Sequence, residues 1–132
     1  MKKLLEFLQA NPVFQLATVD GDQPRVRPFG FHMEDNGRLY FITGESKDVC
    51  RQLKANPKFE LSVSNDKGQW LRLHGVAAFD TRPELVERAF SLMPMLKDIY
   101  GSSGGPKAAM FYADKAVAVL ADMQGNCDTI TL

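Results

Sequence analysis

The chain has 132 residues, 45% of them hydrophobic and 24% charged, and its 16 Lys and Arg balance its 16 Asp and Glu. This length fits one domain with one core, and the zero net charge gives no global field that would favour nucleic acid or an acidic membrane. The sequence shows neither a membrane-spanning run nor a signal-peptide pattern, and Cys50 and Cys127 form no disulfide framework or metal-ligand spacing, so we expect a cytoplasmic protein.

The first part of the chain predicts a short helix followed by strands. Apolar residues at helical spacing over 4–8 predict the helix, which Asn11-Pro12 ends. The predicted strands are 13–19, 25–33 and 39–43. Asn36 and Gly37 tolerate the positive φ angles of tight primed turns, so they predict a hairpin before the third strand. Three consecutive strands with short turns predict an antiparallel meander.

The middle of the chain predicts a helix and two strands. The helix covers 47–55, with Ser46 as its N-cap. Residues 59–63 alternate apolar and polar side chains, which is typical of a half-buried strand. A longer strand follows over 69–79, and its Gly75 indicates a bulge or a close backbone approach.

The last part of the chain predicts helices and then a final strand. Thr81-Arg82-Pro83-Glu84 resembles a capping box with proline in the first turn. An amphipathic stripe follows and Pro94 interrupts it. After a Gly- and Ser-rich loop, residues 108–112 and 116–120 predict the final strand or strands. About six strands with three or four helices predict an α+β domain on an antiparallel sheet that closes into a barrel.

Two arginines share one face of the second predicted strand. Arg25 and Arg27 are two residues apart, so their side chains point the same way as those of Phe29 and Phe31. Guanidinium groups ahead of apolar neighbours suit an elongated ligand with an anionic end. Pro28 cannot donate to a strand ladder, so it indicates an edge, a bulge or a ligand-facing position. The alternative is that both arginines lie on a solvated rim.

A second anion-binding pattern lies where the third predicted strand leads into the helix. Thr43-Gly44-Glu45-Ser46-Lys47 offers the free N–H groups of a helix start, a hydroxyl and an ammonium. It contains neither the Walker string nor the dinucleotide Gly-x-Gly-x-x-Gly pattern. The stretch therefore predicts a phosphate site, with a simple helix cap and a solvated lysine as the alternative.

Three segments, taken in their order along the chain, resemble the FMN-binding split-barrel family, which includes pyridoxamine-phosphate oxidase and the Nim-type nitroimidazole-resistance proteins. The segments are Arg25-Val26-Arg27-Pro28-Phe29, Leu39-Tyr40-Phe41-Ile42-Thr43 with Ser46-Lys47, and Trp70-Leu71-Arg72-Leu73-His74-Gly75. The resemblance implies a six-stranded antiparallel split β-barrel flanked by three or four helices, with residues 1–132 as a single FMN-binding domain. It also implies a homodimer with FMN in clefts between the subunits.

The resemblance assigns a set of cofactor-binding residues. They are Arg25, Arg27, Pro28, Phe29, Thr43, Ser46 and Lys47. The two arginines would contact the flavin phosphate or ring edge, and main-chain atoms over 27–29 would meet the isoalloxazine. Thr43 would contact the ribityl chain or the phosphate, which Ser46 and Lys47 would hold.

The sequence departs from the oxidase proper in several places. The oxidase's C-terminal Trp and Arg signals are missing, and its glutamine in the long strand corresponds to Trp70 here. These departures argue against pyridoxamine phosphate as the substrate. The short length and the Asp122-Met123-Gln124-Gly125 ending are similar to the Nim-type members.

The implied activity is an FMN-dependent oxidoreductase that passes electrons from a nicotinamide donor to a small acceptor, since the flavin supplies the redox chemistry. We identify no general acid or base, so the catalytic residues stay unassigned. His32 and His74 can titrate near neutral pH, but a strand histidine is more often a structural, hydrogen-bonded residue. Two histidines without acidic neighbours give no metal-site pattern.

Two alternatives stay open. The same fold could hold a deazaflavin, which would favour a longer basic groove than Arg25, Arg27, Lys47 and Arg72 provide. The protein could instead be a non-catalytic flavin- or haem-binding module, in which one of the two histidines would serve as the axial ligand.

Overall fold

The computed structural model describes all 132 residues as an α+β fold around one antiparallel sheet. The helices are α1 Lys2–Ala10, α2 Asp48–Ala55, α3 Pro83–Leu92 and α4 Met95–Tyr100. The strands are β1 Phe14–Asp20, β2 Gln23–Phe29, β3 Met33–Asp35, β4 Arg38–Gly44, β5 Lys58–Ser64, β6 Gln69–Asp80, β7 Ala108–Asp122 and β8 Cys127–Thr131. The sheet order is β2-β1-β5-β6-β7-β4-β3, and β8 pairs with β7. None of the helices has the length and apolar character needed to span a bilayer.

The sheet has eight strands where the sequence pattern predicts six. One extra strand arises because the predicted strand over 25–33 is really two strands, β2 and β3. The first residue of β1, Phe14, lies opposite Phe29, so β2 has no partner beyond that point. The chain then leaves this edge, and β3 pairs with β4 instead.

The other extra strand, β8, follows the turn at residues 122–125, beyond the last strand that the sequence pattern predicts. The Asp122 carboxylate accepts hydrogen bonds from the backbone N–H groups of Gln124 and Asn126, at 2.9 and 3.0 Å. This turn returns the chain along β7, which runs without a break from Ala108 to Asp122.

The predicted meander is wrong, although its hairpins are present. β1 pairs with β2 and β3 pairs with β4, with Asn36 at φ 51° and Gly37 at φ 81° in the second turn as expected. However, β5, β6 and β7 lie between the two hairpins in the sheet. The reason is that β4 pairs with the distant strand β7 rather than with β2.

Both predicted side-chain caps are also wrong. The N-cap of α2 is Lys47 rather than Ser46, and the N-cap of α3 is Arg82 rather than Thr81, and neither makes a side-chain cap hydrogen bond. Each helix begins one residue later than the capping pattern requires, so the hydroxyl cannot reach the helical N–H groups. Pro83 does occupy the first helical turn of α3.

Gly75 has both features that the sequence suggested. The pairing of β6 with β7 shifts register between His74 and Val76, so the glycine lies at a bulge. A Cβ atom at Gly75 would lie 3.0 Å from the carbonyl oxygen of Asp114 and 3.0 Å from the Cβ of Ala116. The two strands therefore approach too closely here for an ordinary side chain.

The core is centred on Phe111 of β7, which is fully buried. Its ring lies 5.4–6.3 Å, centroid to centroid, from the rings of Phe29, Phe41, Phe59 and Phe79. A second apolar cluster includes Phe31 and Ile42 from the sheet side and Leu85, Leu96 and Tyr100 from α3 and α4. This second cluster packs both helices against residues of β3, β4 and β7. A cleft lies between α4 and the strands β2 and β4.

Candidate functional site

The cleft has a volume of about 500 Å³ and lies between β2, β4, the start of α2 and helix α4. Its lining is mostly apolar, and its polar side chains are Arg27, Thr43, Lys47 and the half-apolar Tyr100. Small-molecule sites typically have this size and this mixture of an apolar wall with a few polar groups.

The structure brings most of the predicted site residues to this cleft. Those that line it are Arg27, Pro28, Phe29, Thr43 and Lys47. Arg25 and Ser46 do not line it and are exposed. The Nε of Arg25 donates instead to the Asp20 carboxylate at 3.3 Å, in an exposed ion pair.

Arg27 is held by neutral groups. Its Nη1 donates to Thr18 Oγ1 at 2.7 Å and to the Leu16 carbonyl at 3.3 Å, and its Nη2 donates to Gln52 Oε1 at 2.6 Å. No carboxylate pairs with this guanidinium. Burial is the main cause that lowers the pKa of Arg27, although an arginine remains protonated at any ordinary pH. A half-buried cation without an anionic partner is unfavourable unless a ligand supplies the anion.

Lys47 brings the second cation to the cleft. Its Nζ lies 5.5 Å from the centroid of the Tyr100 ring, in a cation–π arrangement, and it makes no ion pair with a carboxylate. The backbone N–H groups of Asp48 and Val49, in the first turn of α2, make no hydrogen bond to another protein group. Lys47 and Val49 line the cleft, so the ammonium and the free N–H groups of this helix start favour an anion on this side.

Two features of the candidate site were not predicted from the sequence. Thr18 and Gln52, which hold Arg27, are among the few buried polar side chains of the chain. The sequence contained a signal for Thr18, because this residue continues the core face of the strand that Phe14 and Leu16 begin. A polar side chain on a core face needs a hydrogen-bond partner. Helix α4 supplies much of the apolar wall, through Met95, Leu96 and Ile99.

The two histidines lie at different places. His32 lines a hollow of about 320 Å³ that shares Pro12, Gly30, Phe31 and Met93 with the cleft, and burial lowers the pKa of its imidazole. A separate hollow on the strands is lined by His74 together with Lys58, Glu60 and Lys115. No three His, Cys, Asp or Glu side chains form a group that could hold a metal ion.

Comparison with known proteins gives a family. The pattern of the pyridoxamine 5'-phosphate oxidase family matches residues 1–122 of this chain. The structure of a NimC/NimA family protein from Clostridium acetobutylicum is 43% identical in sequence, with a TM-score of 0.92 over 100% of this chain and 92% of that one. Among curated proteins, none matches the sequence.

More distant structures share the fold alone. General stress protein 26 from Bacillus anthracis is 14% identical, with a TM-score of 0.76 over 99% of this chain and 97% of that one. A haem-binding protein from Mycobacterium smegmatis is 16% identical, with a TM-score of 0.73 over 93% of this chain and 54% of that one. From the sequence match and the similar Clostridium structure, this chain belongs to the pyridoxamine 5'-phosphate oxidase family, as a Nim-type split-barrel member.

Proposed function

We propose that this protein is an FMN-binding oxidoreductase, a cytoplasmic homodimer that holds the cofactor in the cleft at the subunit interface. In this proposal residues 1–132 form a single FMN-binding domain. The observation that carries it is the pair Arg27 and Lys47: two cations without carboxylate partners that line one apolar cleft. The cytoplasmic location is supported by the two unpaired cysteines, as expected in a reducing compartment.

The charges of the cleft fit a phosphomonoester. Such a group carries about 1.5 to 2 negative charges at neutral pH and several acceptor oxygens. Arg27 offers a planar fork of donors and Lys47 a compact point charge, and both kinds of donor are common in phosphate sites. Thr43 adds a hydroxyl to the same lining.

The apolar wall fits the ring system of a flavin. Pro28, Phe29 and Phe31 form one part of it, and Met95 and Leu96 of α4 form another. When bound, FMN would supply the one- and two-electron chemistry by which a nicotinamide donor could reduce a small acceptor. The side chains would then hold the phosphate, orient the ring and shield it from water.

A second subunit would complete the cleft. Val13, Met95 and Ile99 line it, yet they are 60%, 61% and 42% exposed in the single chain. Large apolar side chains clustered on a surface mark places that another molecule covers. This clustering supports a dimer with the cofactor between the subunits.

The charges also favour FMN over a deazaflavin with a longer anionic tail. Such a tail would need more basic residues than the two that line the cleft. Arg25 is paired with Asp20, and Arg72 pairs with Glu60 at 2.9 Å, away from the cleft. Only Arg27 and Lys47 are left for an anion, which is enough for one phosphate.

The test is an absorbance spectrum of the protein after incubation with FMN and desalting. We expect a retained flavin spectrum, and we expect Lys47→Ala to weaken FMN binding about tenfold or more, because one charge-assisted contact contributes ~1.5–3 kcal/mol. The matched control is Lys54→Ala, since Lys54 lies on α2, the helix that Lys47 precedes, but its Nζ lies over the Phe79 ring. A colourless wild-type protein, or a haem spectrum in its place, would refute the proposal.

Gly44 offers a milder perturbation of the same site. A Cβ atom there would lie 3.2 Å from Tyr100 Cε1 and 3.4 Å from Lys47 Cγ. Because both neighbours are side chains that can move, we expect Gly44→Ala to fold normally and to shift Tyr100 and Lys47. FMN affinity measured by flavin fluorescence should fall several-fold, with little change in melting temperature. An unchanged FMN affinity would show that FMN binding does not depend on the position of Lys47.

A further inference from the structure

The groups that hold Arg27 form a small buried network. Thr18 of β1 is 2% exposed and Gln52 of α2 is 3% exposed. Thr18 Oγ1 donates to Gln52 Oε1, and these two oxygens accept from Nη1 and Nη2 of Arg27 respectively. The guanidinium is thus held from two different elements by two neutral, neighbouring oxygens.

The hydrogen bonds leave one edge of the guanidinium free. Arginine has five N–H donors. Two on Nη1 go to Thr18 and Leu16, and one on Nη2 goes to Gln52. The Nε–H and the second Nη2–H remain, and they lie parallel along one side of the planar group. No buried side-chain nitrogen or oxygen lacks a hydrogen-bond partner, so the unpartnered Nε of Arg27 is reached by solvent.

We propose that Thr18 and Gln52 are a neutral clamp that presents the Nε–Nη2 edge of Arg27 to the cleft and so selects ligands that end in a phosphomonoester. This inference rests on the proposed function and adds two positioning residues to it. Two parallel N–H donors match two oxygens of one phosphate, as in bidentate arginine contacts. Holding the guanidinium in advance also lowers the entropy that binding would lose.

The neutrality of the clamp is part of its role. Arg25, two residues away, has a charged partner instead, because its guanidinium is paired with the Asp20 carboxylate. A carboxylate in the clamp would cancel the charge of Arg27 in the same way. The amide of Gln52 fixes the guanidinium and leaves its full charge for the ligand.

The experiment compares FMN with riboflavin, which has the same ring system and no phosphate. Gln52→Glu keeps the shape of the side chain and adds a carboxylate next to Arg27. We expect FMN affinity to fall about ten- to a hundredfold, the effect of one lost charge-assisted contact, while riboflavin affinity stays the same. The control for the added charge is Gln124→Glu, in the exposed turn before β8.

Thr18→Val gives a second test without any change of charge. It removes one of the two acceptors of Nη1 and the donor to Gln52, while the Leu16 carbonyl remains. We therefore expect a smaller loss of FMN affinity and again no loss for riboflavin. Melting temperatures of all variants check that they fold.

The outcomes separate the two proposals. A wild-type protein that binds neither flavin overturns the proposed function and the clamp together. If the wild-type protein binds FMN and Gln52→Glu keeps the FMN-to-riboflavin preference, the clamp alone is wrong. An equal loss for both flavins would also overturn it, because the two residues would then be only structural.

Discussion

Replacing Phe111 with alanine is expected to remove a large part of the protein's stability. Phe111 is fully buried and its ring contacts four other phenylalanine rings. Truncating a buried phenylalanine costs about 3–5 kcal/mol, from lost transfer free energy and from the cavity that remains. Domains of this size have a total stability of about 5–15 kcal/mol. The midpoint of urea unfolding, followed by circular dichroism, should therefore fall steeply.

Phe79→Ala is the matched control for this prediction. Its ring lies 5.7 Å from that of Phe111, but the residue is only partly buried at the edge of the core. Its truncation leaves a hollow that water can enter, so we expect a clearly smaller loss. If Phe111→Ala unfolds within about 1 kcal/mol of the wild-type protein, the core is not organised around this ring.

The features of the fold that sequence could predict are local. Asn36-Gly37 sets a hairpin through backbone dihedrals that few other residues adopt, and the structure has it. Gly75 interrupts a long strand, and the structure has a bulge there. In both cases the physical cause lies within a few residues of the signal.

The features that could not be predicted depend on distant partners. The apolar and polar pattern over 25–33 continues past Gly30 with no break signal. The strand ends at Phe29 because β1 begins opposite it at Phe14, and the sequence of β2 does not contain that information. Likewise β4 joins β7, some seventy residues later, and this non-local pairing determines the sheet order.

In the candidate site, too, the local features were predictable from the sequence and those that depend on distant partners were not. That Lys47 and Arg27 would lie in one candidate site was predictable, because each lies in a segment whose local pattern suits an anion, and both line the cleft. The clamp joins β1, β2 and α2, since Thr18 is 9 residues and Gln52 25 residues from Arg27. A polar residue on a core face indicated that Thr18 has a partner, but only the fold shows which one.

The double variant Arg27→Ala, Lys47→Ala is expected to lose FMN binding almost completely. Each cation can contribute ~1.5–3 kcal/mol through a charge-assisted contact with phosphate, so the combined loss should be about a hundred- to ten-thousandfold. The measurement is the dissociation constant by fluorescence titration at several salt concentrations. The variant's affinity should also depend less on salt, because fewer charges contact the anion.

The matched double variant Arg25→Ala, Lys54→Ala removes the same charges from residues that do not line the cleft. Since Arg25 is satisfied by Asp20 and Lys54 lies over the Phe79 ring, we expect near wild-type FMN affinity. If both double variants weakened FMN binding equally, net charge rather than the cleft would explain the affinity. A loss in the first variant larger than the sum of its single substitutions would show that Arg27 and Lys47 are coupled, as expected for two cations that contact one phosphate.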